Sequence, residues 1–118
     1  MDLRYHPVID WEMGTKLAGN KRDLAEDLIS LFVRDLSNEI LTIKQSTNQQ
    51  NYQLLQKQVH KLHGALCYCG LPRLKHVVEQ LETNLKNNIM TDLPSHLAQL
   101  ETEAKLVLET YAANSART

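Results

Sequence analysis

Aromatic side chains are scarce in this chain: one Trp, one Phe and four Tyr, 5% of its 118 residues. Strands draw on aromatic and β-branched residues, so the scarcity argues against a sandwich or barrel. Glycine and proline are few as well, four and three, which leaves little punctuation for a fold of many short elements. An excess of charge is also missing. Thirteen Lys and Arg against fourteen Asp and Glu give a formal net charge of -1. A nucleic-acid binder needs a basic surface to meet phosphates, so no nucleic-acid partner is expected. No apolar run approaches the ~20 residues that span a bilayer, and direct membrane contact is not expected. No signal peptide is visible, and neither a P-loop nor a glycine-rich nucleotide loop occurs. The two cysteines, Cys67 and Cys69, stand two apart in what reads as helix and so point in different directions. That disfavours a disulfide between them and favours a reducing, cytoplasmic setting.

What is abundant is helix-forming residues: hydrophobics reach 42%, with Leu, Ala, Glu, Lys and Gln frequent. Pro7 argues for an extended lead-in over residues 1–9. Asp10 reads as the N-cap of a short helix at about 10–18 that carries Trp11 and Leu17 and ends at Gly19. Asn20, with Asp23 three residues on, resembles a capping box for a long helix at about 21–47. Its expected core face is Leu24, Leu28, Leu31, Phe32, Leu36, Ile40 and Ile43. The polar run Asn48–Asn51 is a turn. A second long helix follows at about 51–68, with Tyr52, Leu55, Val59, Leu62 and Leu66 as one buried stripe. Leu71-Pro72 opens a third at about 71–87, because proline is tolerated in a first helical turn. Its core residues are Leu74, Val78, Leu81 and Leu85. Asn87-Asn88 ends it. The last helix, at about 93–113, turns Leu97, Leu100, Ala104, Val107 and Tyr111 inward, and the tail from Asn114 is expected to fray. Short connections make sequential helices antiparallel neighbours. The expected fold is therefore all-α: one domain over residues 1–118, an antiparallel up-down four-helix bundle with a short extra N-terminal helix.

One helix carries unusual chemistry. His60 and His63 each stand one position past a stripe residue, on the flank of the buried face, and Gly64 follows. Glycine inside a helix costs about 1 kcal/mol relative to alanine, and it is kept most readily where something must approach the backbone. Residues equidistant from the turn at Leu71 lie at one height of an antiparallel hairpin, which sets Glu82 opposite His60; Glu79, one turn away, competes for that place. A carboxylate there would accept from Nδ1–H, fix the tautomer and leave Nε2 as a free, more basic lone pair, as a nucleophilic histidine requires. His63 is placed to donate to an anionic group on Nε2 of His60. Lys57 and Lys61 would steer an acidic partner.

The run His60-Lys61-Leu62-His63-Gly64, with Gly70 and Leu71 after it, resembles the motif of histidine-containing phosphotransfer (HPt) domains. It is most similar to those at the C-terminal end of tripartite hybrid sensor histidine kinases of the BarA/GacS type. Pro7-Val8-Ile9-Asp10-Trp11 and Leu71-Pro72-Arg73-Leu74-Lys75 look like that subgroup too. The resemblance spans nearly the whole chain, although only the block from His60 to Glu82 is diagnostic. It implies that His60 is phosphorylated at Nε2, that Glu82 orients Nδ1 and that Gly64 admits the partner. His63 stands where most of the family carries Lys and would stabilise the phosphoryl group. Lys57, Lys61 and Cys67 would lie on the surface that partners meet. The partners implied are receiver domains, one in the same hybrid kinase and one in a response regulator. Each would bring its own aspartate and Mg²⁺, while this domain would bind no cofactor or metal and act as a monomer without enzymatic activity of its own. The chain would be free-standing or the cytoplasmic end of a membrane-tethered kinase.

Two rival readings compete with this one. His60, His63 and Cys67 fall at i, i+3 and i+7 of one helix, and with Glu82 they could hold Zn²⁺. A plain helical interaction module could dock a protein without phosphotransfer. Without the motif, Lys57, Lys61, Arg73 and Lys75 read as a solvated face, and His6, His76 and His96 as surface residues.

Overall fold

Caps and left-handed turn residues divide the described residues into five α-helices. In the computed structural model, which describes residues 2–115, these are α1 (Trp11–Leu17), α2 (Arg22–Asn48), α3 (Tyr52–Leu66), α4 (Pro72–Lys86) and α5 (Leu93–Ser115). No strand occurs among the described residues. Each long helix packs against the next, and α5 returns against α2. Neighbours run in opposite directions. Between α2 and α3, Ser46 meets Gln58 and Glu39 meets Lys61; between α3 and α4, His60 meets Glu82 and His63 meets Glu79. This is the all-α, antiparallel bundle expected from the sequence, with the short α1 packed on α2.

The core is aliphatic. Leu55, Val59, Leu62 and Leu66 of α3 meet Leu74, Val78, Leu81 and Leu85 of α4, closed in by Ile29, Leu36 and Ile43 of α2 and Leu100, Ala104 and Val107 of α5. Each fully buried Leu, Ile or Val contributes roughly 1.5–3 kcal/mol. Trp11 is partly buried against this core, with the Arg22 guanidinium 4.8 Å from its ring centre.

Several local expectations are corrected. The lead-in is not extended throughout, because Leu3–Tyr5 forms a 3-10 turn capped by the Asp2 carboxylate, which accepts from the Arg4 amide at 3.0 Å. Asp10 does cap α1, accepting from the Met13 amide at 2.9 Å. Asn20 does not cap α2. It follows Gly19 in the left-handed region (φ +65° and +66°), and its amide donates back to the Thr15 carbonyl at 2.9 Å. Asn20 therefore closes α1, and α2 starts after Lys21 without a side-chain cap. Leu24 and Leu31 are 42% and 50% exposed, while Ala25 and Ile29 are buried in their place. Helix α1 packs on α2, and the small Ala25 faces Gly14 there. Tyr52 is also exposed. Helix α3 stops at Leu66, so Cys67 caps it and Cys69 lies beyond it. Asn114 is still helical; the rest of the expected frayed tail, from residue 116, lies outside the described residues.

One contact ties the N-terminal segment to the turn that sets the α3–α4 register. The Asp10 amide donates to the Gly70 carbonyl at 2.7 Å, and the backbones of Gly14 and Gly70 pack directly together. A Cβ on Gly70 would collide with the Asp10 carbonyl and the Gly14 amide, so only glycine fits there.

Candidate functional site

Burial of Val59 and Leu62 turns His60 and His63 toward α4. The His60 ring is 69% exposed, yet its Nδ1 lies 3.0 Å from Oε2 of Glu82, a carboxylate only 7% exposed. Burial pushes the Glu82 carboxyl up, but hydrogen bonds from Lys86 and His60 and the nearby charges of Lys86 and His63 outweigh it. The group ends below the ordinary carboxylate range. An ionised carboxylate only accepts. Nδ1 of His60 therefore carries a proton, and in the neutral ring Nε2 is left with its lone pair.

His63 is brought to the same carboxylate. Its Nδ1 lies 3.3 Å from Oε1 of Glu82 and its Nε2 lies 3.3 Å from Oε1 of Glu79. The sequence reading aimed His63 at a group on His60; here both of its nitrogens face carboxylates. Glu79, the competitor for His60, pairs with His63 instead. Lys61 pairs with Glu39 of α2 at 3.4 Å, and Lys57 and Cys67 are exposed. Gly64 is open: a Cβ built on it would meet nothing within 4 Å. Glycine there is not required by helix packing. It leaves the surface beside His60 low.

These features coincide with a known family. Residues 27–110 match the model of the Hpt domain. This chain belongs to that family. As an Hpt domain it is 34% identical over 106 residues to the sensor protein GacS of Pseudomonas syringae pv. syringae, covering 85% of this chain and 12% of that protein. It is 29% identical over 94 residues to the signal transduction histidine-protein kinase BarA of Escherichia coli K12, covering 79% and 10%. The chain thus spans about a tenth of the length of these relatives. Its fold matches the HPT domain of an Hpt sensor hybrid histidine kinase from Shewanella with a TM-score of 0.85 at 24% identity, over 94% of this chain and 96% of that one.

The Hpt domain also carries features the sequence did not disclose. Leu28, Leu31 and Phe32 of α2 face Leu62, Ala65 and Tyr68 across an apolar groove of about 320 Å³, rimmed by Asp35, Glu39 and Lys61. Periodicity had placed the first three in the core. Glu82, which alone reads as a surface charge, is buried. Arg73 is not part of a solvated face. Its guanidinium grips the buried Glu103 carboxylate with two hydrogen bonds, 2.8 and 3.1 Å, which satisfies a charge that would otherwise be costly to bury. His6, His76 and His96 are half-buried, and Nε2 of His96 lies 2.9 Å from the Asn84 amide nitrogen. Among the described residues no group of three or more His, Cys, Asp or Glu is arranged to hold a metal ion. No described helix is long and apolar enough to cross a membrane.

Proposed function

We propose that this Hpt domain is the phosphoryl carrier of a multistep relay and that His60 is its nucleophile. The contact between Nδ1 of His60 and the buried Glu82 carboxylate, at 3.0 Å, carries this reading. In the forward step the Nε2 lone pair attacks the phosphorus of a receiver's aspartyl phosphate. A P–N bond forms, the P–O bond breaks, and its electron pair leaves on the aspartate carboxylate. The phosphorylated ring gains positive charge while Nδ1 keeps its proton, and Glu82 faces that charge. The reverse step delivers the phosphoryl group to the aspartate of a response regulator. A receiver's Mg²⁺ would supply most of the electrostatic stabilisation, and this domain supplies an oriented nucleophile and a docking surface.

The partner meets the exposed face of α3. Gly64 gives clearance, Lys57 and Lys61 supply positive charge, and Cys67 lies one turn further along. The apolar groove between α2 and α3 shares Lys61 and Ala65 with this face and is continuous with it, so it accommodates apolar side chains of the receiver. The domain acts as a monomer in the cytoplasm. The names of its relatives support a parent sensor histidine kinase; on this reading that parent holds the domain near the inner membrane.

Phosphoramidate donates phosphoryl groups to histidine without a protein partner, so it tests the nucleophile directly. The wild type is expected to gain one acid-labile, alkali-stable phosphoryl group by intact mass, and His60→Gln none. A label that persists in His60→Gln, or no label on the wild type, removes the phosphocarrier reading.

A further inference from the structure

Glu82 has two carboxylate oxygens, and the structure gives them different neighbours. Oε2 faces Nδ1 of His60. Oε1 faces two other donors, Nζ of Lys86 at 3.2 Å and Nδ1 of His63 at 3.3 Å. These donors are not equivalent. The Lys86 side chain is 53% exposed, a flexible point charge that supplies attraction without a preferred angle. The His63 ring is 24% exposed and held at both ends, because its Nε2 faces Glu79, which is in turn 3.7 Å from Nζ of Lys75. Only an imidazolium carries N–H on both nitrogens, so the protonated ring makes both contacts at once.

We propose that His63 is a positioning residue: braced against Glu79, it holds Oε1 of Glu82 so that Oε2 stays aligned with Nδ1–H of His60. The inference rests on the phosphocarrier reading and deepens it. A fixed Glu82 keeps His60 in the tautomer whose Nε2 lone pair is free. A loosened Glu82 admits the other tautomer, in which Nε2 carries the proton and cannot attack. On this reading His63 acts through Glu82 and not on the phosphoryl group itself.

A double-mutant cycle with a small donor separates the two roles. Phosphorylation by phosphoramidate is timed for wild type, His63→Ala, His63→Asn, Glu82→Gln and the double variant His63→Ala/Glu82→Gln. Long-range ¹H–¹⁵N NMR spectra of the same proteins read the His60 tautomer and confirm the fold. His63→Ala is expected to slow labelling about fivefold, the effect of losing one hydrogen bond, and to lower the share of the Nδ1–H tautomer. His63→Asn, whose amide nitrogen takes the place of Nδ1, restores most of both. With Glu82→Gln already present, His63→Ala should change the rate less than about twofold. An unchanged rate and tautomer in His63→Ala overturn the proposal. So does a full loss that persists beside Glu82→Gln, which would mean direct contact with the phosphoryl group. A wild type that takes no label on His60 overturns the phosphocarrier reading and this one with it, whereas a labelled wild type with an indifferent His63→Ala overturns the positioning role alone.

Discussion

Oε2 of Glu82 lies 3.0 Å from Nδ1 of His60, joining a carboxylate sealed inside the bundle to an imidazole open to solvent. The pairing combines a rigid, desolvated acceptor with an accessible nucleophile. Glu82→Ala should slow labelling of His60 by phosphoramidate roughly tenfold, the scale of one charge-assisted hydrogen bond. Glu82→Gln keeps an acceptor and should fall in between. Acid stability offers a second check. The folded Glu82 carboxyl lies below its usual value of 4.5, so its contribution is present above that pH and is lost as pH falls through the folded value. Melting temperatures measured down an acid series should therefore drop more steeply for the wild type than for Glu82→Gln.

Gly64 tests clearance against stability. Because a Cβ there meets nothing within 4 Å, Gly64→Ala should raise stability by up to about 1 kcal/mol in a urea titration. Labelling by phosphoramidate should not change. A bulkier Gly64→Gln should leave the small donor effective but slow transfer from a phosphorylated receiver.

The groove predicts a separation of docking from chemistry. Leu31 and Tyr68 are 50% and 64% exposed, so Leu31→Glu or Tyr68→Ala should alter stability by about 0.5 kcal/mol or less. Both variants should take label from phosphoramidate at the wild-type rate. Their affinity for a receiver domain, measured by calorimetry, should fall about tenfold or more, on the scale of an interface anchor.

Of the four glycines, Gly70 is the one at which an added methyl, in Gly70→Ala, is expected to do most damage. It forces the Asp10 carbonyl and the Gly14 backbone away from the α3–α4 turn, a form of overpacking that costs typically about 1–3 kcal/mol. Chemical denaturation would show this directly. Slower labelling of His60 should accompany it, because the turn sets the register of His60 and Glu82.

The two cysteines should differ sharply in reactivity. Cys67 is exposed and Cys69 buried, and burial pushes the Cys69 thiol up from 9.0 to about 11. Iodoacetamide at neutral pH should modify Cys67 and spare Cys69, as peptide masses would show. Between 9.0 and about 11 an unfolded chain releases the Cys69 proton while the folded one keeps it. Stability should decline over that range, and Cys69→Ala should flatten the decline.

The amino-acid pattern by itself determined the helices and the height at which functional groups meet. Leu55, Val59, Leu62 and Leu66 repeat at a spacing only a helix can bury on one side, and counting outward from Leu71 was enough to set Glu82 against His60, since antiparallel helices rise equally per residue. What lies beside that pair was decided only by the tertiary structure. Periodicity assigns a stripe but does not say which edge of it a neighbour covers. Helix α2 has leucines on both edges, and packing buried Ala25 and Ile29 while Leu24 and Leu31 stayed outside. In the same way, a charged residue reads as exposed until a partner from another helix is known. Glu82 found donors from α3 and from its own next turn, Glu103 found Arg73, and His63 found the carboxylates of Glu82 and Glu79. Burial of charge is a property of pairs, and such pairs exist only once distant segments are packed together.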